Sequence, residues 1–72
     1  MITYGVCYYF HGDIKDLKKF DNYNDAMVDY LTRLPTEYAK FGYIPKNLGI
    51  IHYNDNKEVA FETITGTKIE EF

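Results

Sequence analysis

Few residues in the chain could begin a catalytic reaction. The sequence has one cysteine, Cys7, two histidines, His11 and His52, and no serine. A nucleophilic cysteine needs a base, a cation or a helix N-terminus nearby to lower its pKa. Cys7 lies in the middle of a strand-like run without such a neighbour, so we interpret it as a small packed thiol. An enzyme that uses a histidine, such as a small nuclease, is the third and weakest of three functional hypotheses.

Metal and cofactor sites are not expected either. His11, Gly12, Asp13 and Asp16 place several potential ligands close together, but a turn explains Gly12 and Asp13 without a metal. One cysteine and two histidines cannot fill the four positions of a structural zinc site without carboxylates. The five glycines are scattered singly, so the sequence has no glycine-rich phosphate-binding loop. We therefore predict no metal, no cofactor and no enzymatic activity.

Three aspartates recur every four residues where a helix is predicted. Asp21, Asp25 and Asp29 are spaced by about 6 Å along a helix axis, and Arg33 extends the row and can pair with Asp29. One interpretation is a solvated face whose first acids suit the positive helix N-terminus. The other is an acidic ridge that engages a basic groove on a partner.

Aromatic residues dominate the composition. The 72 residues include eight tyrosines and five phenylalanines, and each such ring can bury roughly 150–250 Å². A tyrosine hydroxyl needs water or a hydrogen-bond partner. A core of this size therefore cannot hold all eight rings. Some tyrosines must lie at its rim or on the surface, where tyrosine favours protein interfaces. We expect a marginal core, compensated by these rings or by a homo-oligomer.

Charge and hydropathy limit the classes of partner that the chain is expected to bind. The net charge is −3, which disfavours direct binding of DNA or RNA. No run approaches the roughly 18 apolar residues of a membrane span, so no membrane contact is expected. The first residues lack a basic region followed by an apolar stretch of signal length, and one thiol suits a reducing compartment. The sequence therefore predicts a cytoplasmic protein.

The first half of the chain predicts two strands and a helix. Residues 2–10 alternate, with the larger apolar set at even positions. Residues 14–20 are either a short helix or, as we favour, an edge strand guarded by lysines. From a cap at Asp21 or Asn22, a helix is predicted over residues 22–34, and Pro35 should stop or kink it before a short turn over residues 36–41. The apolar stripe of this helix has helical spacing and consists of Tyr23, Ala26, Met27, Tyr30, Leu31 and Leu34.

The last third predicts a hairpin. Residues 48–53 and 58–65 flank a polar connection over residues 54–57, and residues 67–72 read as an acidic tail. The chain is thus predicted to be a single α+β domain, residues 1–72, with a small antiparallel sheet of three or four strands and one main helix on one face. The opposite face should be wet or covered by another molecule, and its predicted members are Cys7, Tyr9, His52, Ala60 and Glu62.

The function that this pattern favours is a small non-enzymatic module that binds another protein. Its tyrosine-, asparagine-, lysine- and isoleucine-rich composition suggests a phage or mobile-element inhibitor of a host defence protein. The second hypothesis is a homo-oligomer that binds or sequesters a small ligand, such as a nucleotide, between aromatic rings. The predicted partner-binding residues are Tyr9, Asp21, Asp25, Asp29, His52 and Glu62.

Overall fold

The computed structural model describes residues 1–10, 12–64 and 69–71. In chain order the elements are β1 (Ile2–Phe10), β2 (Asp13–Phe20), α1 (Tyr23–Phe41), β3 (Leu48–Asn54), β4 (Lys57–Glu62) and β5 (Ile69–Glu71). All the strand pairs are antiparallel, and the strand order in the sheet is β2-β1-β3-β4-β5. The predicted α+β class, with one helix on an antiparallel sheet, is confirmed. Within residues 1–10, 12–64 and 69–71 the sheet contains the four longer strands that the prediction allows, and the three-residue β5, from the expected tail, pairs with β4 as a fifth.

The segment that the sequence left ambiguous is the edge strand β2. It pairs with β1, and its three lysines, Lys15, Lys18 and Lys19, are exposed, as expected for side chains that protect an edge from further pairing. A bulge interrupts the register between Val6 and Tyr8, where Asp16 has a positive φ of 55°. His11, which the metal-site hypothesis invokes and which is one of the two histidines of the nuclease hypothesis, lies outside the described residues.

The helix begins where predicted but ends seven residues later. Asn22 is the N-cap: its Oδ1 accepts from the Asp25 backbone N–H at 2.8 Å, and its Nδ2 donates to the Asp25 carboxylate. Two effects of Pro35 were predicted, that it ends α1 or that it kinks it. The first is wrong, since the helix continues to Phe41. Proline removes the N–H that would bond to the Leu31 carbonyl. Both residues lie on the exposed side of the helix, where water can satisfy that carbonyl.

The main core lies between α1 and the even-numbered side of β1. Its buried members are Val6, Ala26, Tyr30, Leu48 and Ile50. Leu31, which the periodicity assigned to the same stripe, is instead 45% exposed. The helix therefore packs through a narrower stripe than its apolar residues suggest.

The opposite face of the sheet is neither wet nor polar, which corrects the prediction. Cys7, Ile51, Tyr53 and Phe61 are buried there, and Tyr9 and Ile14 pack against them. Lys19 of the edge strand lies over the Tyr53 ring, with Nζ 4.7 Å from the ring centroid. Bulges interrupt the β1–β2 and β3–β4 pairs, and a β-bulge increases the local twist of a sheet.

The β3–β4 connection is tighter than the four residues predicted from sequence. Asn54 pairs with Lys57, which leaves the two-residue turn Asp55-Asn56 with φ values of 51° and 68°. Two positive φ values are typical of the primed turn that matches strand twist, and aspartate and asparagine tolerate them better than most residues. The predicted hairpin is confirmed.

Gly49 provides a test of how closely β3 and β4 approach. A Cβ at Gly49 would collide with the Glu62 backbone carbonyl and lie 2.8 Å from the Phe61 ring. We expect Gly49→Ala to lower the free energy of unfolding by about 1–3 kcal/mol in urea denaturation. Gly5→Ala is the matched control: its closest contact is the end of the Leu17 side chain, which is half-exposed and can move. Equal losses for both variants would contradict this account of the approach.

Leu48 and Leu31 allow a buried and an exposed leucine to be compared. Leu48 is fully buried, so Leu48→Ala should cost about 2–5 kcal/mol of unfolding free energy through the cavity it leaves. Leu31 is 45% exposed, and Leu31→Ala should cost less than about 1 kcal/mol, which revises the larger cost that burial would imply. Thermal or urea unfolding followed by circular dichroism measures both, and a larger loss for Leu31→Ala would place this residue in the core after all.

Candidate binding surfaces

The structure separates the residues that the sequence assigned to one sheet face. Cys7 and Tyr9 do lie opposite the helix. His52, Ala60 and Glu62 lie on the helix side, because Tyr4 pairs with His52, and His52 with Ala60. The alternation within β1 was predicted correctly, whereas β3 was given the wrong face, because a shift of one residue in the pairing of two strands reverses the face of a whole strand. In β4 a bulge pairs Glu58 with Tyr53, so Glu58 does not share the face of Ala60 and Glu62 as predicted.

His52 and Glu62 form a polar cluster with Tyr23 under the first turn of α1. The Tyr23 hydroxyl donates to Glu62, with both carboxylate oxygens 2.8 Å away. His52 Nε2 lies 3.2 Å from Glu62 Oε1. The Tyr4 ring meets both aromatic partners edge-on, at 5.4 Å from Tyr23 and 5.2 Å from His52 between ring centroids.

This cluster attaches the helix to β4. Burial, followed by the hydrogen bond to Glu62, raises the pKa of Tyr23 to about 12, so its hydroxyl keeps its proton and remains a donor at neutral pH. Glu62 thereby has partners from a helix and from a neighbouring strand. A satisfied, half-buried network of this kind fixes packing geometry. We therefore assign His52 and Glu62 a positioning role in the fold.

The aspartate row is used largely within the domain. Asp21 is exposed just before α1, and Asp25 belongs to the N-terminal cap. Asp29 is paired: Arg33 Nε lies 3.0 Å from its Oδ2, and Lys18 Nζ 3.9 Å from its Oδ1. The Arg33 guanidinium also donates to the Asp16 carbonyl at 3.1 Å. These contacts tie the helix to the bulge of β2, so the row presents less uncompensated charge than its spacing implies.

The eight tyrosines are divided between the core, its rim and the surface, as their number in so short a chain predicted. Tyr30 and Tyr53 are buried, four others are half-buried, and Tyr38 and Tyr43 are exposed. The expectation that some rings must face solvent is confirmed. The exposed ones lie on or just after the C-terminal half of α1, away from the aspartates at its start.

Tyr38 belongs to a second apolar stripe on α1, which we call the outer stripe: Val28, Leu31, Pro35 and Tyr38. Val28 is 65%, Leu31 45% and Tyr38 58% exposed. Their spacing of i, i+3, i+7 and i+10 places them on one side of a helix, turned away from the buried Ala26 and Tyr30. This surface was not predicted from the sequence. Its signal is the width of the apolar arc of α1, which exceeds the single stripe that one sheet can cover.

A cleft of about 390 Å³ opens between the ends of β1 and β2 and the last turns of α1. Aromatic rings of Tyr8, Phe10 and Phe41 line it together with charged side chains of both signs. Phe41 is 44% exposed and stacks at a tilt on Tyr43, with ring centroids 5.9 Å apart. The volume lies within the range of small-ligand sites.

One carboxylate in this cleft lacks a full set of partners. Burial first, and then a hydrogen bond to Glu37, raises the pKa of Tyr8 to about 12, so the Tyr8 hydroxyl acts as a donor to that carboxylate. The Oε2 atom of Glu37 is buried and has no hydrogen-bond partner among the described residues. A desolvated carboxylate oxygen without a donor is unusual in native proteins.

Among the described residues, neither Cys7 nor the candidate metal ligands have the surroundings that nucleophilic or metal chemistry requires. Burial is the main cause that raises the pKa of the Cys7 thiol to about 11, which keeps it protonated and unreactive at neutral pH. Residues 1–10 and 12–64 contain no group of three or more histidine, cysteine, aspartate or glutamate side chains able to hold a metal ion. In the same part of the chain, no helix has both the length and the hydropathy needed to cross a bilayer.

Comparison with protein-family models, with curated proteins and with solved structures finds no match to this chain.

The Tyr23–Glu62 contact predicts a specific response to alkaline pH. Below about pH 10 the folded and the unfolded chain both keep the phenolic proton, and stability does not depend on it. Between pH 10 and about 12 the unfolded chain loses the proton first, since the folded pKa is about 12, so the free energy of unfolding falls as the pH rises. Tyr23→Phe should make this fall shallower in urea titrations at successive pH values.

Tyr38→Phe is the control, because it removes the same hydroxyl from an exposed ring of the same helix. The slope between pH 10 and 12 should be shallower for Tyr23→Phe than for this control. A Tyr23→Phe variant with an unchanged slope between pH 10 and 12 would show that the contact does not hold the proton in solution.

Proposed function

We propose that this chain is a small non-enzymatic module that binds another protein through the outer stripe of α1. The observation that carries the proposal is that four apolar residues on one side of a capped, 19-residue helix face solvent. Small proteins seldom expose contiguous apolar surface without a use for it. In a domain with so little core, these side chains would add more stability inside than outside.

The spacing of the stripe suits one mode of recognition. A helix that lies in a groove of its partner contacts it through residues three and four positions apart. From Val28 to Tyr38 the stripe covers about 15 Å of helix axis. Tyr38 gives it a large ring with a polar end, which is the kind of residue that most often dominates binding energy. The partner that fits is a protein with an elongated apolar groove.

Charge suggests what borders that groove. The chain carries a net charge of −3, and the exposed Asp21 and Asp25 lie at the N-terminal end of α1, close to where the stripe begins. A basic rim on the partner would be attracted to this end and would speed association. In this form of the proposal Asp21 and Asp25 remain binding residues, whereas Tyr9, His52 and Glu62 serve the packing of the sheet.

The biological setting belongs to the proposal as well. A cytoplasmic location agrees with a single buried, protonated thiol. The small size and the composition support the idea of a phage or mobile-element product that inhibits a host defence protein. Such an inhibitor needs only a surface that covers a working site on its target, and the outer stripe supplies one.

Site-specific photocrosslinking in the cells that produce the protein tests the proposal. A photoreactive phenylalanine analogue at position 31, inside the stripe, should crosslink one protein in stoichiometric yield. The same analogue at position 36 is the matched control, since Thr36 is exposed on the polar side of the same helix. The partner identified in this way is then purified and its affinity is measured by calorimetry.

Leu31→Glu should weaken binding to that partner by at least about tenfold, because a charge would be buried in an apolar contact, while the fold is retained. Thr36→Glu, with the same change of charge, should leave the affinity within about twofold. Equal crosslinking at positions 31 and 36, or an unchanged affinity for Leu31→Glu, would refute binding through the stripe.

The homo-oligomer hypothesis is decided by the same design. The stripe joins two copies of the chain if the crosslinked species is a dimer of the chain itself and light scattering gives twice the protomer mass. In that case Leu31→Glu should reduce the measured mass to that of one protomer. A monomer that crosslinks to a different protein supports the proposed function instead.

A further inference from the structure

The cleft at the end of α1 contains a carboxylate whose surroundings are incomplete. Glu37 meets the Tyr8 hydroxyl, but its Oε2 atom is buried without a hydrogen-bond partner among the described residues. Leaving a desolvated charged oxygen without a donor costs more than an ordinary hydrogen bond contributes. A cation in the cleft that draws the Glu37 side chain towards it would let this oxygen accept a hydrogen bond and would recover that free energy.

The one arginine of the sequence, Arg33, does not donate a hydrogen bond to the Glu37 oxygen Oε2. Arg33 lies one turn before Glu37, and its side chain is held by Asp29, 3.0 Å from Nε, and by the Asp16 carbonyl, 3.1 Å from its Nη1. The first contact lies along α1 and the second reaches β2, so this guanidinium is already engaged. Arg33 is not among the residues that line the cleft, and the sequence has no second arginine.

The lining of the cleft favours a cationic group. Three carboxylates, from Asp13, Asp16 and Glu37, outnumber the two ammonium groups, from Lys15 and Lys40. Lys40 Nζ already lies over the Phe41 ring, 5.1 Å from its centroid, which shows that a cation is favourable at this ring face. Both lysines are exposed side chains that can turn towards solvent when a ligand arrives.

Among organic cations, the geometry selects a planar one. A guanidinium stacks on an aromatic face and directs two parallel N–H donors at a carboxylate, whereas an ammonium is a strongly hydrated point charge. The exposed Phe41 ring and the Glu37 carboxylate border the same cleft and can serve these two functions together.

We propose that this cleft binds a guanidinium group, which pairs with Glu37 and stacks on Phe41. The group has two sources with the same chemistry: the side chain of an arginine in another protein, or a small free guanidine compound. The cleft is separate from the outer stripe, so this site stands or fails independently of the proposed function.

Titrations followed by two-dimensional NMR of the isotopically labelled protein test the proposal with defined probes. Ethylguanidinium should cause saturable shifts of the amide signals of residues that line the cleft, at millimolar concentration. Ethylammonium, with the same charge and a similar size, should bind at least about fivefold more weakly. Saturable shifts confined to residues outside the cleft, equal affinity for the two cations, or no saturable shift would overturn the proposal.

Two further probes identify the source. N-acetyl-arginine methylamide, which imitates an arginine in a protein chain, should bind more tightly than ethylguanidinium if the site serves a partner protein. Agmatine should bind more tightly than that amide if the site serves a free small molecule. Either order supports the guanidinium site.

Matched variants locate the contacts. Glu37→Gln should weaken ethylguanidinium binding at least tenfold, while Glu58→Gln, the same change on strand β4, should alter it less than twofold. Phe41→Leu removes an exposed ring and is not expected to disturb folding, and it should also weaken binding by at least about threefold. Equal affinities for the Glu37→Gln and Glu58→Gln proteins, with the fold confirmed by circular dichroism, would exclude the pairing.

Discussion

The burial of β3 on both faces is the constraint on which the rest of the fold depends. Leu48 and Ile50 point to the helix, Ile51 and Tyr53 to the opposite face, and all four are buried. In so short a chain one helix can cover only one side of the sheet. On the other side Tyr9 of β1 and Ile14 of β2 pack against the buried cluster, and bulges interrupt the β1–β2 and β3–β4 pairs. The polar cluster under α1, the outer stripe and the cleft are all positioned by this arrangement.

Much of the architecture could be predicted because it is local. Alternation gave β1, the lysines indicated an edge strand, Asn22 marked the helix start, and the polar residues 54–57 marked a hairpin. The side of the sheet occupied by His52 could not be predicted, because it depends on the register between β1 and β3, which are separated by a helix in the sequence. The pairing of β5 with β4 is likewise a tertiary contact that an acidic segment does not signal.

The sequence predicted that some tyrosines face solvent, but not where on the fold they lie. The excess of tyrosine correctly required exposed rings, and Tyr38 is one of them. The aspartates looked like the more specific signal, yet Asp25 serves the helix cap and Asp29 is paired with Arg33. Sequence periodicity shows which residues share a side of a helix. It does not show how wide an apolar arc the sheet will cover, and the uncovered remainder is the outer stripe.

Pro35 divides α1 into two parts with different attachments. The first three turns are fixed to the sheet by Ala26, Tyr30 and the Tyr23–Glu62 contact, while the last turns carry Glu37 and Phe41 at the cleft. The missing N–H at Pro35 takes one hydrogen bond out of the ladder between them, and proline positions are where helices bend most readily. A pull on the C-terminal turns would therefore flex the helix at this point and widen or narrow the cleft, without detaching the segment that holds the domain together.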